Sequence, residues 1–171
     1  ALQAVAADDS VLLIRRPAEL ILFDTPDGVV STTEGLAVIN GPAWHAAGHT
    51  GAGVKVGIID GGFMGYPGLL GVDLPPTVTV KNFVDGETDP QVDGTTKHGA
   101  ACAEIIHDVA PGASLYLAKI GTNLDLQEAV AWLRDVQQVD IISTSVGWYN
   151  LTPGDGTGEF ANLVQSARDA G

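Results

Sequence analysis

Short apolar runs alternate with amphipathic stretches along most of this sequence. The run Val54–Ile59 is rich in β-branched residues, which is typical of a strand buried on both faces of a sheet. Strands that alternate with helices predict an α/β fold, in which helices cover both faces of a mostly parallel sheet. The other predicted strands are Thr77–Phe83, Ser114–Ile120 and Val139–Ser143, and the predicted helices are Gly41–Gly48, His98–Val109, Leu124–Val136 and Glu159–Ala170.

Residues 1–35 have a different pattern from the rest of the chain. Two short apolar runs, Val11–Ile14 and Leu20–Phe23, are predicted to pair with each other as strands. We interpret residues 1–35 as an N-terminal extension or the end of a pro-segment. Residues 36–171 then form the main domain.

Length and charge narrow the range of functions. A chain of 171 residues corresponds to about one domain and is long enough to bury a core. Lys and Arg number 8 against 21 Asp and Glu, a formal net charge of −13, which argues against nucleic acid or an anionic membrane as a partner. No apolar run approaches the roughly 20 residues of a transmembrane helix.

Two titratable residues fall where α/β sheets hold their ligands, at the carboxyl ends of strands. Asp60 directly follows the predicted strand Val54–Ile59, and His98 begins a predicted helix. An aspartate that holds an imidazole is the orienting half of a nucleophilic triad, so the two residues are candidates for that role. An aspartate after a strand is also common as a turn residue, and spacing alone leaves this alternative open.

Metal binding receives less support from the sequence. His98 and Cys102 are four residues apart and share a helix face, but two ligands do not complete a zinc site of four. Cys102 is therefore predicted to be a small core residue. The segment Asp85–Asp89 begins like a calcium loop, but Pro90 and Thr96 occupy positions that need Gly and Glu. We predict a solvated acidic loop there and assign no metal.

Several motifs occur in a characteristic order. They are Val38–Trp44 followed by Gly48–Asp60, then His98–Ala103, Val109–Lys119 and Val139–Gly147. Over about residues 36–171 this series resembles the subtilisin-like serine proteases, whose triad runs in the order Asp, His, Ser. The resemblance implies that Asp60 and His98 are catalytic. It also implies that Ser145 and Gly147 lie on the strand that pairs with the substrate backbone.

The serine motif of that family is not matched. None of the serines lies in a Gly-Thr-Ser-x-Ala motif; they are Ser10, Ser31, Ser114, Ser143, Ser145 and Ser166. The sequence therefore resembles the N-terminal part of a serine endopeptidase, with a fold that is incomplete at its C-terminal end, and we expect this chain alone to be inactive. A catalytically silent, protease-like peptide-binding module is the alternative. Trp148 also departs from the family, which usually has glycine there.

The resemblance implies partners and a location as well. A protein or peptide is the expected substrate, and a C-terminal fragment of the same protein or a second copy of the chain is the expected partner. Calcium is suggested by the family alone, with no ligands assigned. The implied location is secreted or extracytoplasmic.

Overall fold

A four-stranded parallel sheet forms the centre of the computed structural model, which describes residues 11, 15–22, 35–149 and 151–171. Its strands are β2 (Lys55–Asp60), β3 (Thr79–Asn82), β4 (Ser114–Lys119) and β5 (Ile141–Thr144), in the order β3-β4-β2-β5. Two short strands, β1 (Ile21–Leu22) and β6 (Val146–Gly147), form a separate antiparallel pair. The helices are α1 (Gly35–Val38), α2 (Gly41–Ala46), α3 (His98–Val109), α4 (Asn123–Ala131) and α5 (Glu159–Asp169).

The two faces of the sheet are covered by different helices. Alternate residues of β2 point to opposite faces, so Val56 and Ile58 pack in the apolar cluster beneath α3. Ile59 instead packs in the cluster beneath α4 and α5. Gly57 lets α4 and its continuation come close, because a Cβ at that position would lie 2.6 Å from Leu133 Cδ2. The predicted α/β architecture is confirmed.

Two predicted helices show how local signals set their bounds. Helix α3 covers the predicted His98–Val109. Helix α4 begins after Thr122, whose side chain and that of Asp125 form a capping box. Beyond Ala131 the chain continues as a π-helical turn, Trp132–Gln137, so the predicted helix changes its hydrogen-bonding pattern part-way.

The prediction of Val139–Ser143 as a buried strand is wrong in part. The strand is β5, and its first residue, Ile141, is 53% exposed. Within the described residues β5 pairs only with β2, which makes it the edge strand of the sheet. An edge strand keeps one side open, so Ile141 stays accessible although its side chain is apolar.

The N-terminal run Leu20–Phe23 has a strand partner that the sequence did not predict. Its described part contains β1, which lies antiparallel to β6 with Ile21 opposite Gly147. The predicted pairing with Val11–Ile14 stays a prediction. Residues 12–14 and 23 lie outside the described residues. Pairing with a distant strand edge is a tertiary contact, and no local sequence pattern predicts it.

None of the described helices combines the length and the apolar composition that crossing a bilayer requires.

Candidate active site

Asp60 is the last residue of β2 and is fully buried at the carboxyl end of the sheet. Its Oδ1 atom accepts the N–H of Gly61 at 2.8 Å. Burial raises the pKa of the Asp60 carboxyl above its ordinary value, because a charge is poorly solvated there. The His98 ring and the N–H groups of Gly61 and Gly62 counteract part of that rise. Asp60 is thus a buried carboxylate held by directed hydrogen bonds.

His98 is the first residue of α3 and lies against Asp60. Its Nδ1 atom is 2.7 Å from Asp60 Oδ2, and its side chain is 11% exposed. The proximity expected from the sequence is confirmed. With a proton on Nδ1 donated to Asp60, Nε2 is left as the nitrogen with a free lone pair. Thr96 Oγ1 accepts the backbone N–H of His98 and secures the start of the helix.

Two glycines permit this approach of helix to strand. A Cβ on Gly99 would lie 2.5 Å from Gly62 O and 2.8 Å from Asp60 Cβ, and a Cβ on Gly62 would overlap Gly94 O. The N–H of Gly99 donates to Gly62 O at 3.1 Å. Sequence reasoning missed both residues as site residues. The available signal was the Gly61-Gly62 pair after Asp60 and the Gly that follows His98.

The loop that leads to His98 is tied to the sheet by a buried lysine. Lys119 lies opposite Asp60 in the register of β4 and β2 and is 3% exposed. Its Nζ donates to Glu87 Oε2 at 2.6 Å and to Gln91 O at 2.9 Å. The hydrogen bond from Lys119 lowers the pKa of the Glu87 carboxyl below its ordinary value. Lys119 was not predicted as a site residue, because its partners are some 30 residues away in sequence.

Comparison with known proteins shows which family this chain belongs to. Residues 51–171, well over half of the chain, match the sequence model of the subtilase family. The chain belongs to the subtilase family. The resemblance inferred from the motifs is therefore confirmed.

Curated relatives of this subtilase support the same assignment. Subtilisin E of Bacillus subtilis (strain 168) is 31% identical over 157 residues, covering 82% of this chain and 38% of subtilisin E. Subtilisin of Bacillus pumilus is 30% identical, covering 82% of this chain and 52% of its own length. Furin-like protease 2 of Drosophila melanogaster is 35% identical over 128 residues, covering 67% of this chain and 8% of its own length. The chain thus spans about half of the length of these relatives, or less.

Cys102 lies closer to the Asp–His pair of the subtilase than the sequence predicted. It packs against the apolar cluster beneath α3, as expected of a core residue, but it is only partly buried. Its Sγ atom is 3.9 Å from His98 Nδ1. Burial and the charge of Asp60 raise the pKa of the Cys102 thiol, while a hydrogen bond with Ser145 opposes that rise. The thiol is therefore part of the site.

Ser145 and Gly147, which were predicted to bind substrate, make two different contacts. The Ser145 side chain hydrogen-bonds the Cys102 thiol. Gly147 lies in β6 and pairs with Ile21 of β1. The strand edge assigned to substrate is thus occupied by the subtilase's own N-terminal segment.

That segment also reaches Gly61, the residue after Asp60, and Trp148. A Cβ built on Gly61 would lie 3.1 Å from Leu20 Cδ1 and 3.2 Å from Leu22 Cδ2, so both leucines lie beside the residue that follows Asp60. Trp148 Nε1 donates to Ala18 O at 3.1 Å. The indole of Trp148 stacks on Phe160 with a centroid distance of 5.2 Å, so the ring packs towards α5.

The acidic loop does not fit the calcium that the family resemblance suggested. Glu87 bonds Lys119 and the Asn82 amide, and Asp89 accepts the N–H of Asn82 and pairs with Lys81. Carboxylate oxygens engaged by protein donors are not arranged as calcium ligands. The loop is largely exposed, as predicted, but two of its acids, Glu87 and Asp89, anchor the segment to the sheet.

Proposed function

We propose that this subtilase chain carries the proton-transferring half of a serine endopeptidase. His98 is the general base and then the general acid, and Asp60 holds its tautomer and stabilises the imidazolium. The contact between Nδ1 and Oδ2 at 2.7 Å, made by a fully buried carboxylate, is the observation that supports this assignment. The family supplies the reaction class, which is hydrolysis of peptide bonds in protein or peptide substrates.

Each proton has a defined position in the proposed mechanism. His98 Nε2 accepts the proton of a serine hydroxyl as its oxygen attacks the substrate carbonyl, and returns it to the leaving amine. The Nδ1–H stays on the ring and donates to Asp60 throughout. Because no serine of the 171 residues lies in the family's nucleophile motif, we assign the nucleophile to residues outside this sequence.

The edge of β6 is the proposed site for the substrate backbone, with Ser145 and Gly147 as its binding residues. Segment 18–22 supports this proposal, because β1 pairs with β6 as an extended strand. The same segment also bonds residues just before α4 and at its start, where Leu20 N donates to Gly121 O and Asn123 N donates to Ala18 O, both at 3.1 Å. Pairing between β1 and β6 completes this β-augmentation. We propose that residues 1–35 are an extension or the end of a pro-segment that takes the place of substrate.

An active-site probe on the native protein tests the catalytic proposal. A serine-directed phosphonate should label the wild-type protein, whereas His98→Ala should lower both labelling and peptide hydrolysis by several powers of ten, because the serine loses its base. His49→Gln is the matched control, since His49 is exposed and its ring contacts Trp44. Residues 1–171 alone should remain unlabelled.

Two results would contradict the proposal. One is full labelling of His98→Ala in the native protein. The other is labelling of the 171-residue chain, which would identify one of its own serines as the nucleophile. A native protein that binds peptides but takes up no probe would instead establish the alternative, a catalytically silent peptide-binding module.

Amide exchange tests the strand edge. Leu20→Pro removes the N–H that donates to Gly121 O, which should loosen segment 18–22. Exchange of the Asn123 amide and the Trp148 indole N–H should then rise by up to about tenfold, since both donate to Ala18 O and one lost hydrogen bond is worth about 1 kcal/mol. Glu19→Ala is the control, as Glu19 is exposed. Unchanged exchange in Leu20→Pro would reject this placement.

A partner strand along β5 is a further part of the proposal. A cleft of about 640 Å³ lies between β5, α4 and α5, and its apolar lining includes Ile142 and Leu163. An exposed apolar edge of this kind favours association. We propose that a C-terminal piece of the same protein or a second copy pairs there. The 171-residue chain should accordingly exceed its monomer mass of 17.6 kDa in solution.

The proposed location follows from the proposed activity. We propose a secreted or extracytoplasmic protein, since the chain belongs to the family of the subtilisins. Fractionation of the native cells and medium is the direct measurement.

A further inference from the structure

Three hydrogen bonds converge on Ala18, the first residue of segment 18–22. Its N–H donates to Asn123 Oδ1 at 2.7 Å. Its carbonyl oxygen accepts two hydrogen bonds, from Asn123 N and from Trp148 Nε1, both at 3.1 Å. We propose that Asn123 and Trp148 form a backbone clamp, a subsite that binds one residue of an extended peptide beyond the part that pairs with β6. This inference rests on the proposed function, which assigns the edge of β6 to the substrate.

Asn123 supplies two of the three hydrogen bonds. It is the first residue of α4 and is 3% exposed. Glu159 orients its side chain, because Glu159 Oε1 accepts from Asn123 Nδ2 at 3.4 Å and from Gln127 Nε2 at 2.9 Å. With Nδ2 engaged by Glu159, Oδ1 is the acceptor for the segment, and the backbone N–H in the first turn of the helix is the donor. Asn123 therefore recognises both the N–H and the carbonyl of one peptide residue.

Trp148 supplies the third hydrogen bond, and α5 holds its ring in place. The indole stacks on Phe160 with a centroid distance of 5.2 Å and an angle of 13° between the planes. Stacking fixes the plane of the ring and with it the direction of the Nε1–H bond. The glycine that the subtilisin-like proteases usually have at this position could not supply such a donor. We therefore attribute the clamp to this chain and not to the family as a whole.

The clamp recognises the backbone of a peptide and not its side chains. Any residue that keeps its N–H can form the three bonds, whereas proline would leave Asn123 Oδ1 without a donor. Leu22 pairs with Val146, so a peptide must span five residues, as segment 18–22 does, to use both the clamp and the whole edge of β6. We expect the subtilase to prefer long extended segments to short peptides and to reject proline at the position of Ala18.

Peptide binding tests the clamp without catalysis. Two acetylated, dye-labelled peptides copy the chain's own sequence, a long one with residues 17–27 and a short one with residues 20–27, which lacks the clamp residue. Both are titrated by fluorescence anisotropy into the native protein carrying His98→Ala, so that neither is cut. Competition from the protein's own segment lowers both affinities alike and leaves their ratio unchanged.

Trp148→Phe, added to this protein, decides whether the indole N–H binds the peptide. Phenylalanine keeps a ring for the stack on Phe160 but has no donor. It should weaken binding of the long peptide about fivefold, the effect of one lost hydrogen bond, and leave the short peptide unchanged. Trp44→Phe is the matched control, because Trp44 is exposed and contacts His49 instead. A long peptide carrying Ala18→Pro should bind at least about fivefold more weakly than one carrying Ala18→Gly, which keeps the N–H.

The tethered segment gives a second measurement on the full 171-residue chain, with no added peptide. Trp148→Phe should raise amide exchange of Ala18 and Asn123 about fivefold, since both amides belong to the clamp. Trp44→Phe should leave both rates unchanged. Far-ultraviolet circular dichroism verifies the fold of each variant.

Three results would overturn the clamp. They are equal binding of the long peptide with and without Trp148→Phe, equal weakening of both peptides by that substitution, and equal affinity for the Ala18→Pro and Ala18→Gly peptides. Absence of all peptide binding would reject the substrate edge and the clamp with it. None of these results alters the proposed acid–base role of His98, which depends on the labelling of the native protein.

Discussion

Asp60→Asn is expected to lower the turnover of the native protein by about 10⁴-fold, the effect of replacing the orienting aspartate of a triad. The reason lies in the second oxygen of the carboxylate. Oδ1 accepts the N–H of Gly61 at 2.8 Å, and only the carbonyl oxygen of an asparagine can keep that bond. The amide NH₂ must then face His98 Nδ1. A ring nitrogen that faces a donor carries no proton, so the proton moves to Nε2 and the base is lost.

The same substitution should leave the fold intact. Burial raises the folded-state pKa of Asp60 above its value in the unfolded chain. The proton bound to Asp60 in the folded state therefore contributes its full stabilisation only below about pH 4. This stabilisation is lost as the pH rises through the folded-state pKa. A neutral asparagine avoids that loss, so the unfolding midpoint at neutral pH should not fall.

Steady-state kinetics and thermal unfolding measure the two effects separately. Asp85→Asn is the matched control, because Asp85 is exposed and the change in charge is identical. Turnover of Asp60→Asn within tenfold of the wild type would rule out the role given to Asp60.

Gly99→Ala should disrupt the site by pushing α3 away from β2. The added Cβ would lie 2.5 Å from Gly62 O and 2.8 Å from Asp60 Cβ, and neither of these atoms belongs to a flexible side-chain end. Overpacking of this kind costs about 1–3 kcal/mol. A shift of about 1 Å in the position of His98 would also lower turnover by about 10²-fold.

Chemical denaturation and kinetics check this prediction against a glycine with free space around it. Gly68→Ala meets no atom within 4 Å, so it should leave the free energy of unfolding unchanged or slightly increased. If Gly99→Ala is as stable and active as Gly68→Ala, the close approach of helix to strand is not needed for the site.

Several elements were predictable because their signals are local. Helix α3 begins at His98 and ends at Val109 as its pattern predicted, since apolar spacing and the following Pro111 act within a few residues. The core strands β2 and β4 were predicted to within one or two residues for the same reason. Asp60 and His98 were recognisable from their places at the ends of these elements.

Other features depend on contacts between distant parts of the chain. The edge position of β5 depends on which strands lie beside it. A run of apolar residues has the same sequence pattern in an edge strand as in a central strand. The bond between Lys119 and Glu87 joins a strand to a loop 32 residues earlier. Neither residue type nor spacing indicates such a pairing.

The sequence by itself determined the family, the alternation of strands and helices, and the two residues of the proposed acid–base pair, because each is carried by short motifs. Only the tertiary structure decided that β1 occupies the edge of β6 and that Cys102 Sγ lies 3.9 Å from His98 Nδ1. It also placed Asp60, 38 residues before His98, within 2.7 Å of that ring. The physical reason is that side chains meet through the packing of α3 on β2, which depends on glycines at the contact and on the burial of apolar surface by the whole domain.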